Sequence, residues 1–443
     1  MSVDSCRKDI SGQPHKGFLR ISKEKTLLRH VTIFRDERFY PSHASAAVAK
    51  NGDIFVVFRQ APFENIFAHV HPDARIDMVR SSDMGETWAP AARSTVYDPG
   101  DGVNLNDPSI TVLKDGTVLV TAFNSYAPRT KDGNRWGDSL IAVRGTDYYY
   151  TPSDRWIVLL RSFDNGLTWD GPYTVDASSY SKSNAAVFAP IVELSDGRLL
   201  MPISTTRDET GEHIAAIICS TDKGETWSPY SQIAAWSPKG CWMGEEKNML
   251  SFGLPTLAAY DDDRLIAAGW SNFEIGTLVT LSRDGGKTWG PLQPVITKGE
   301  CTHVCVTSAG TTLLTYGYRR PPYGIRASPS YDGGKTWEPA KAFALRSDGA
   351  MRDLGYPRTI QLPDGKLFCV YYFNARDEDK GYYDEEKSLE ICRAWNLNPP
   401  LYTYQVAGLR FVGGTIFSEE DIAELAGTAI FEPELTESQP TLL

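Results

Sequence analysis

Short apolar runs broken by polar turns recur along the whole chain. Six segments share one form, an apolar run, a polar turn and a second apolar run. They are ASAAVAKNGDIFVVF, PSITVLKDGTVLVTAF, APIVELSDGRLLMPI, PTLAAYDDDRLIAAGW, HVCVTSAGTTLLTYGY and YPRTIQLPDGKLFCVYYF. Runs of this length joined by D-G or N-G type turns predict β-hairpins. A 3.6-residue period is nearly absent, and SEEDIAELAG near the C-terminus is the one helical stretch.

A second pattern alternates with the first. Five segments match S-x-D-x-G-x-T-W: Ser81 to Trp88, Ser162 to Trp169, Ser220 to Trp227, Ser282 to Trp289 and Ser330 to Trp337. Each reads as the turn of an outer hairpin. The Asp carboxylate accepts backbone N–H groups, the Gly takes positive φ, and the Trp packs on the turn. Asp83, Asp164, Asp222, Asp284 and Asp332 are therefore expected to build turns and not to catalyse. The sixth outer unit, SLEICRAWNL, lacks the box.

One inner and one outer hairpin make a four-stranded sheet. Six such units predict an all-β fold, a six-bladed β-propeller of four-stranded antiparallel blades. TLLRHVTIF near the N-terminus is expected to add a strand to the last blade and close the ring. The propeller is placed at residues 31–417, between an N-terminal extension (1–30) and a C-terminal tail (418–443).

Composition narrows the function. The 443 residues are 41% hydrophobic and 23% charged, which is ordinary globular chemistry. Forty-five basic against 56 acidic residues leave a net charge of −11, which argues against a nucleic-acid partner. No run of 18 apolar residues offers a membrane span. The first 30 residues lack the apolar stretch of a secretory signal, so a cytoplasmic home is expected unless a leader has been removed. Seven cysteines, several within apolar runs, fit a reducing compartment. Cys301, His303 and Cys305 do not have a usual zinc spacing, so neither metal nor cofactor is expected, with a structural calcium left open.

In a propeller, the innermost strands start near the central axis on one face. Residues at those starts, and just past the second strands, line one pocket. That geometry selects Ser42 and His43, Arg59 and Glu64, Asn106 and Asp107, Phe188, Gly253, His303, Arg319 and Arg320, and Asp353 to Arg358.

The boxes and the six-fold pattern, over roughly residues 40–400, resemble the sialidase (neuraminidase) superfamily. The resemblance implies three arginines on a sugar carboxylate, a tyrosine nucleophile activated by a glutamate, and an acidic residue as general acid and base. Tyr356 in DLGYPRTIQLPDGKL lies where the nucleophile would lie. Arg59 in VVFRQAPFEN matches one clamp arginine. Arg319 in LLTYGYRRPPYGIR matches another, with Arg326 as its rival and Arg207 as a weaker candidate. Glu64 is near the acid/base position, with Asp73 as second choice.

Two places depart from the pattern. PSHAS stands where R-I-P is usual, so Ser42 or His43 replaces an arginine. SFGLPTL stands where the activating glutamate is usual, with Glu245 and Glu246 a few residues upstream. Asp107 in LNDPSI is either a turn former or the acid. Asp353 and Arg358 flank Tyr356 and join the substrate-binding set. His43, beside the axis, is a candidate base at neutral pH. His69 and His71 in FAHVHPD form an H-x-H pair that suits a metal or a loop over the pocket. The aromatic insertion at about 126–155 suits a sugar-stacking wall or a blade-edge elaboration.

The leading reading is an exo-acting glycoside hydrolase that releases a terminal, sialic-acid-like sugar. A lyase acting on a uronic-acid glycoside is the alternative, with His43 and Tyr356 as base and acid and Arg59 neutralising the carboxylate. A carbohydrate-binding propeller without catalysis is the third.

Overall fold

The computed structural model describes residues 27–63, 69–131, 140–142, 147–151, 154–236, 251–271, 275–350, 352–375 and 409–428. They form six antiparallel blades in ring order. Phe39–Val48, Ile54–Pro62, Arg75–Ser81 and Ser94–Tyr97 make the first blade, from the axis outward. Val103–Val112, Val118–Tyr126, Arg155–Ser162 and Asp170–Thr174 make the second. In the third, Ala185–Val187 and Val192–Glu193 both pair with Leu199–Thr206, followed by His213–Ser220 and Ser228–Trp236. Its innermost strand breaks around Pro190, which has no N–H for the ladder. Gly253–Ala259, Leu265–Trp270, Gly276–Ser282 and Gln293–Ile296 make the fourth. Glu300–Val306, Thr312–Tyr318, Gly324–Ser330 and Phe343–Arg346 make the fifth.

The last blade joins both ends of the fold. Gly355–Gln361, Leu367–Ala375 and Leu409–Phe417 are its first three strands, and Arg29–Phe34 is the outermost. Arg29 pairs with Ile416 and Phe34 with Val412, so the N-terminal strand closes the ring as TLLRHVTIF suggested. SLEICRAWNL lies outside the described residues, and Leu409–Phe417 takes the third-strand position instead. The C-terminal helix is short, Asp421–Leu425, and buries Ile422 and Leu425 against the fifth and last blades.

The unbroken apolar runs follow from this stacking. A strand covered on both faces needs apolar residues at every position. In Ile54–Pro62, Phe55 and Val57 enter a core shared with Ile110, Val118 and Val120 of the second blade. Ile54, Val56 and Phe58 enter the opposite core, with Phe368, Val370 and Val412 of the last blade. Each such side chain contributes about 1.5–3 kcal/mol by burial.

The boxes are turn devices. In the third, the Ser220 hydroxyl donates to Asp222 Oδ1 at 2.7 Å and accepts from the Gly224 amide at 2.8 Å. Asp222 also accepts from the Thr226 amide at 2.9 Å and from its hydroxyl at 2.5 Å. The same bonds recur around Asp83, Asp164, Asp284 and Asp332. Trp88, Trp227 and Trp337 donate their indole N–H to the box glycine carbonyl. Trp227 then fills the core between the second and third blades. Asp222→Ala is expected to lower stability by about 1–2 kcal/mol, read by thermal unfolding, with kcat unchanged. A lost kcat at unchanged stability would instead make the box a functional site.

Candidate active site

Five innermost strands carry the same defect at their axis end. Their ladders slip between Ser42 and Ser45, Asn106 and Ser109, Gly253 and Thr256, Glu300 and His303, and Gly355 and Arg358. The bulged residues are His43, Asp107, Leu254, Cys301 and Tyr356, all with left-handed φ between 47° and 55°. Such φ values are costly for residues with a side chain, and bulges of this kind re-aim side chains next to functional sites. In three cases a proline follows (Pro108, Pro255, Pro357), so one rung of the ladder lacks its donor. Each blade except the third thus sets one strained residue at the mouth of the axis. Three of the five, His43, Asp107 and Tyr356, are the expected catalytic candidates, and His43 lies on the blade between the other two.

A chain of hydrogen bonds runs along the wall formed by the fifth, last and first blades. Glu300 Oε2 accepts from Arg319 Nη1 at 3.0 Å, and Arg319 Nη2 donates to the Tyr372 hydroxyl at 2.9 Å. Tyr372 donates to Asp353 Oδ1 at 3.1 Å, and Tyr40 donates to Oδ2 at 2.6 Å. His69 Nε2 meets Asp353 Oδ1 at 3.1 Å, and His69 Nδ1 meets His43 Nε2 at 3.1 Å. His43 Nδ1 faces the Ser42 hydroxyl at 3.2 Å. Burial pushes the Asp353 carboxyl up, yet His69, the Tyr40 bond and the Arg319 charge bring it to about 2. Burial, reinforced by His69 and by the Arg59, Arg319 and Arg358 charges, holds His43 well below the usual histidine range, so it is neutral. The His43 ring meets the Tyr356 ring edge-on, with centroids 4.4 Å apart. The Arg319 guanidinium lies 5.9 Å from the Tyr356 ring centroid. Burial raises the Tyr356 phenol well above its ordinary value.

The opposite flank of His43 holds a second carboxyl. Asp107 is 5% exposed, and its Oδ1 has no hydrogen-bond partner. Burial pushes it up to about 7, against the pull of Arg358, Arg59 and Arg155. Arg59 is fully buried, giving Nε to the Leu105 carbonyl at 2.8 Å and Nη2 to Asn104 at 3.3 Å, while Nη1 has no partner. Arg358 crosses the axis from the last blade to the third, donating to the Phe188 carbonyl and to that of Pro357. Both bonds go to main-chain carbonyls, so Arg358 braces the ring across the axis. Phe123, Ala186, Phe188 and Leu254 make an apolar wall on the side of the second to fourth blades.

Several expectations fall elsewhere. Arg326 lies on the third strand of the fifth blade, its guanidinium 3.3 Å from the Tyr318 ring centroid. Asp73 pairs with Arg129 at 2.7 Å on an exposed loop, and Arg207 pairs with Glu212 at 3.3 Å. Glu64, Glu245 and Glu246 lie outside the described residues. The H-x-H pair splits: His69 joins the site, while His71 is buried beside the Tyr148 ring, 5.3 Å between centroids. Tyr148, from the aromatic insertion, donates to the Val70 carbonyl at 3.0 Å and so fixes the histidine loop. His303 is buried and accepts the Thr359 amide at 3.3 Å. Among the described residues, no group of three His, Cys, Asp or Glu side chains is placed to hold a metal ion. Tyr40, Tyr372 and Glu300 are site residues that sequence reasoning missed. Glu300 directly precedes a bulge residue, but nothing local marks the two tyrosines.

The family model described as a BNR repeat-like domain matches residues 139–369, just over half of the chain. No curated protein matches the sequence. Among solved structures, a protein of unknown function from Dyadobacter fermentans superposes with a TM-score of 0.68 at 24% identity, covering 88% of this chain and 99% of that one. The NanB sialidase from Streptococcus pneumoniae gives 0.60 at 12% identity, over 88% of this chain and 70% of that one. An alpha-L-arabinanase from Penicillium chrysogenum gives 0.53 at 17% identity, over 90% and 100%. At these identities the likeness is one of fold. The boxes, the six-bladed ring and the family match agree: the chain belongs to the BNR repeat-like domain family and has the sialidase-like propeller fold.

Proposed function

We propose that the protein is a glycoside hydrolase that releases a terminal, carboxylated sugar. The observation that carries the reading is Asp107, a buried carboxyl raised to about 7 in an arginine-rich pocket. A group that is half protonated near neutrality can give a proton to a leaving oxygen and later take one from water. Arg59, with Nη1 unpartnered, supplies positive charge for the sugar carboxylate. Tyr356 attacks the anomeric carbon, and its phenol proton leaves as the new C–O bond forms. The Asp107 proton goes to the departing glycosidic oxygen. Water then displaces Tyr356 from the sugar, giving its proton to Asp107, so the product keeps the starting anomeric configuration. Arg319 is already bound to Glu300, Tyr372 and the Leu354 carbonyl, so it serves to shape the Tyr356 wall.

A second reading, elimination on a uronic-acid glycoside, draws support from His43 in contact with Tyr356. One panel separates the two: 4-nitrophenyl and methyl glycosides of N-acetylneuraminic, glucuronic and galacturonic acids, with uronic-acid oligosaccharides and a 4-nitrophenyl arabinofuranoside as neutral control. Mass and ultraviolet absorbance are read together. Hydrolysis is expected to add one water to each acidic sugar released. Unsaturated products lacking that water would move the protein to the lyases, and turnover of the arabinofuranoside alone would overturn the acidic-sugar assignment.

A further inference from the structure

A nucleophilic tyrosine needs a group to take its proton, and no carboxylate pairs with Tyr356 among the described contacts. The fourth-blade position where the resemblance expects a glutamate carries Leu254, inside SFGLPTL. The Tyr356 hydroxyl meets the Cys301 side chain, a thiol that burial holds protonated, and what touches the Tyr356 ring is His43, which ends a chain through His69 to Asp353. We propose that Asp353, His69 and His43 form a proton relay that receives the Tyr356 proton, a role resting on the reading of Tyr356 as nucleophile.

The polarity of the chain follows from its far end. Asp353 is ionised, so it only accepts: from Tyr40 at 2.6 Å, from Tyr372 at 3.1 Å and from His69 Nε2–H at 3.1 Å. In the proposed relay His69 gives its one ring proton to Asp353 from Nε2, and its Nδ1 is the acceptor. It accepts from His43 Nε2–H at 3.1 Å. His43 Nδ1 is then the open lone pair, facing the Ser42 hydroxyl at 3.2 Å. The resting chain therefore places its basic nitrogen on His43.

The step balances without a co-reactant. In the proposed step the Tyr356 O–H turns from the Cys301 side chain, its bond breaks, and its proton enters at His43 Nδ1. The His43 Nε2 proton moves to His69 Nδ1. His43 ends neutral in the other tautomer, and the positive charge sits on His69 beside the Asp353 carboxylate. That export matters because His43 faces Arg59, Arg319 and Arg358, which oppose a charge on its own ring. His69 faces Asp353, Tyr40, Tyr372 and His43, and its side chain is 41% exposed, so the charge is both paired and partly solvated. When water displaces Tyr356 from the sugar, the proton returns along the same path.

His43 is thus the base, and His69 and Asp353 are positioning residues that act through it. The test compares His69→Gln and Asp353→Asn with Asp107→Asn, on the methyl and 4-nitrophenyl glycosides of the acidic sugar that the panel releases. Thermal unfolding reports that each variant is folded, and Tyr40→Phe, which keeps the ring, is the milder probe of Asp353. Both relay variants are expected to lose about 100-fold or more in kcat on both glycosides, with KM within about threefold. A good leaving group should rescue kcat/KM of Asp107→Asn and leave that of the relay variants low, because kcat/KM reports the attack of Tyr356, which then needs no acid but still needs a group to take the phenol proton. Asp353→Asn should also move the acid limb of kcat/KM to lower pH, since losing the anion weakens the pair's hold on a proton. Imidazole 15N spectra at neutral pH should place the His43 proton on Nε2 in the wild type and on both nitrogens, as a mixture, in Asp353→Asn.

Rescue of the relay variants by 4-nitrophenol, an unmoved acid limb, or a His43 proton already on Nδ1 in the wild type would each overturn the relay. Wild-type turnover by Tyr356→Phe would instead sink the nucleophile assignment, and with it this use of the relay, while the 15N result would still report whether the chain has the stated polarity.

Discussion

Tyr356→Phe is expected to lose on the order of 10⁴-fold in kcat on every substrate that the wild type hydrolyses. The substitution removes one oxygen and leaves the ring, so the edge-on contact with His43 at 4.4 Å and the left-handed backbone at φ 47° persist. Stability should therefore stay near wild type, and the loss is chemical. Holding a non-glycine residue in that conformation is costly, and the neighbouring blades must over-determine it. A phenol with a raised pKa is a poor nucleophile until it is deprotonated, which ties the effect to the base that takes the proton. The measurement is steady-state hydrolysis of the 4-nitrophenyl glycoside, with proton NMR of the first anomer formed by the wild type. Retention, lost together with turnover in the variant, is the expected pair of results. Activity within tenfold of wild type, or inversion, would remove Tyr356 from the bond-making role.

Asp107→Asn is expected to lower kcat/KM on the methyl glycoside by about 10²–10⁴-fold and to spare kcat/KM on the 4-nitrophenyl glycoside, whose kcat still falls because the attacking water has lost the base that takes its proton. The descending limb of the wild-type pH profile, placed near 7 by the Asp107 carboxyl, should vanish in the variant. Stability should move the other way. The folded carboxyl titrates near 7 and the unfolded one near 3.8, so the folded state binds the extra proton between those values. The stabilisation from this group is complete below about pH 4 and is lost as pH rises through 7. The gap corresponds to at most about 4 kcal/mol above neutrality. Asparagine carries no such charge, so the variant should gain melting temperature over wild type at pH 8 and gain little or nothing at pH 5. An equal shift at both values would mean that Asp107 is not buried as a charge.

The blades were readable because their signals are local. Period and turn chemistry mark a hairpin within some fifteen residues, and the box carries its own hydrogen bonds within eight. Part of the site was readable for the same reason. Asp107-Pro108 and Tyr356-Pro357 announce a broken rung at the start of an apolar run, and propeller geometry sends that rung to the axis. What could not be read is what joins blades. Tyr40 and Asp353 bond across 313 positions of sequence, and His69 and Asp353 across 284. Nothing near Tyr40 or Tyr372 separates them from the many aromatic strand residues that only pack. Arg358 shows the limit from the other side. Its place at the axis was visible, but only the folded ring reveals that it reaches the Phe188 carbonyl on the opposite blade.

Ring closure has a consequence for when the candidate site is assembled. The outermost strand of the last blade, Arg29–Phe34, is synthesised before every other strand of the ring, and its partner, Leu409–Phe417, after all of them. Tyr356, Asp353 and Tyr372 all belong to that late blade or to the segment leading into it, whereas Tyr40, His43, Asp107 and Arg59 are made early. The two halves of the candidate site thus meet only after the whole ring has been synthesised, when the early strand is captured by the late one. A nascent or truncated chain lacking Leu409–Phe417 holds Asp107 and His43 but leaves the blade of Tyr356 unfinished. Assembly of the candidate site and completion of the circle are in this sense one event, and the appearance of the proposed turnover during refolding is expected to time the final zippering of the chain.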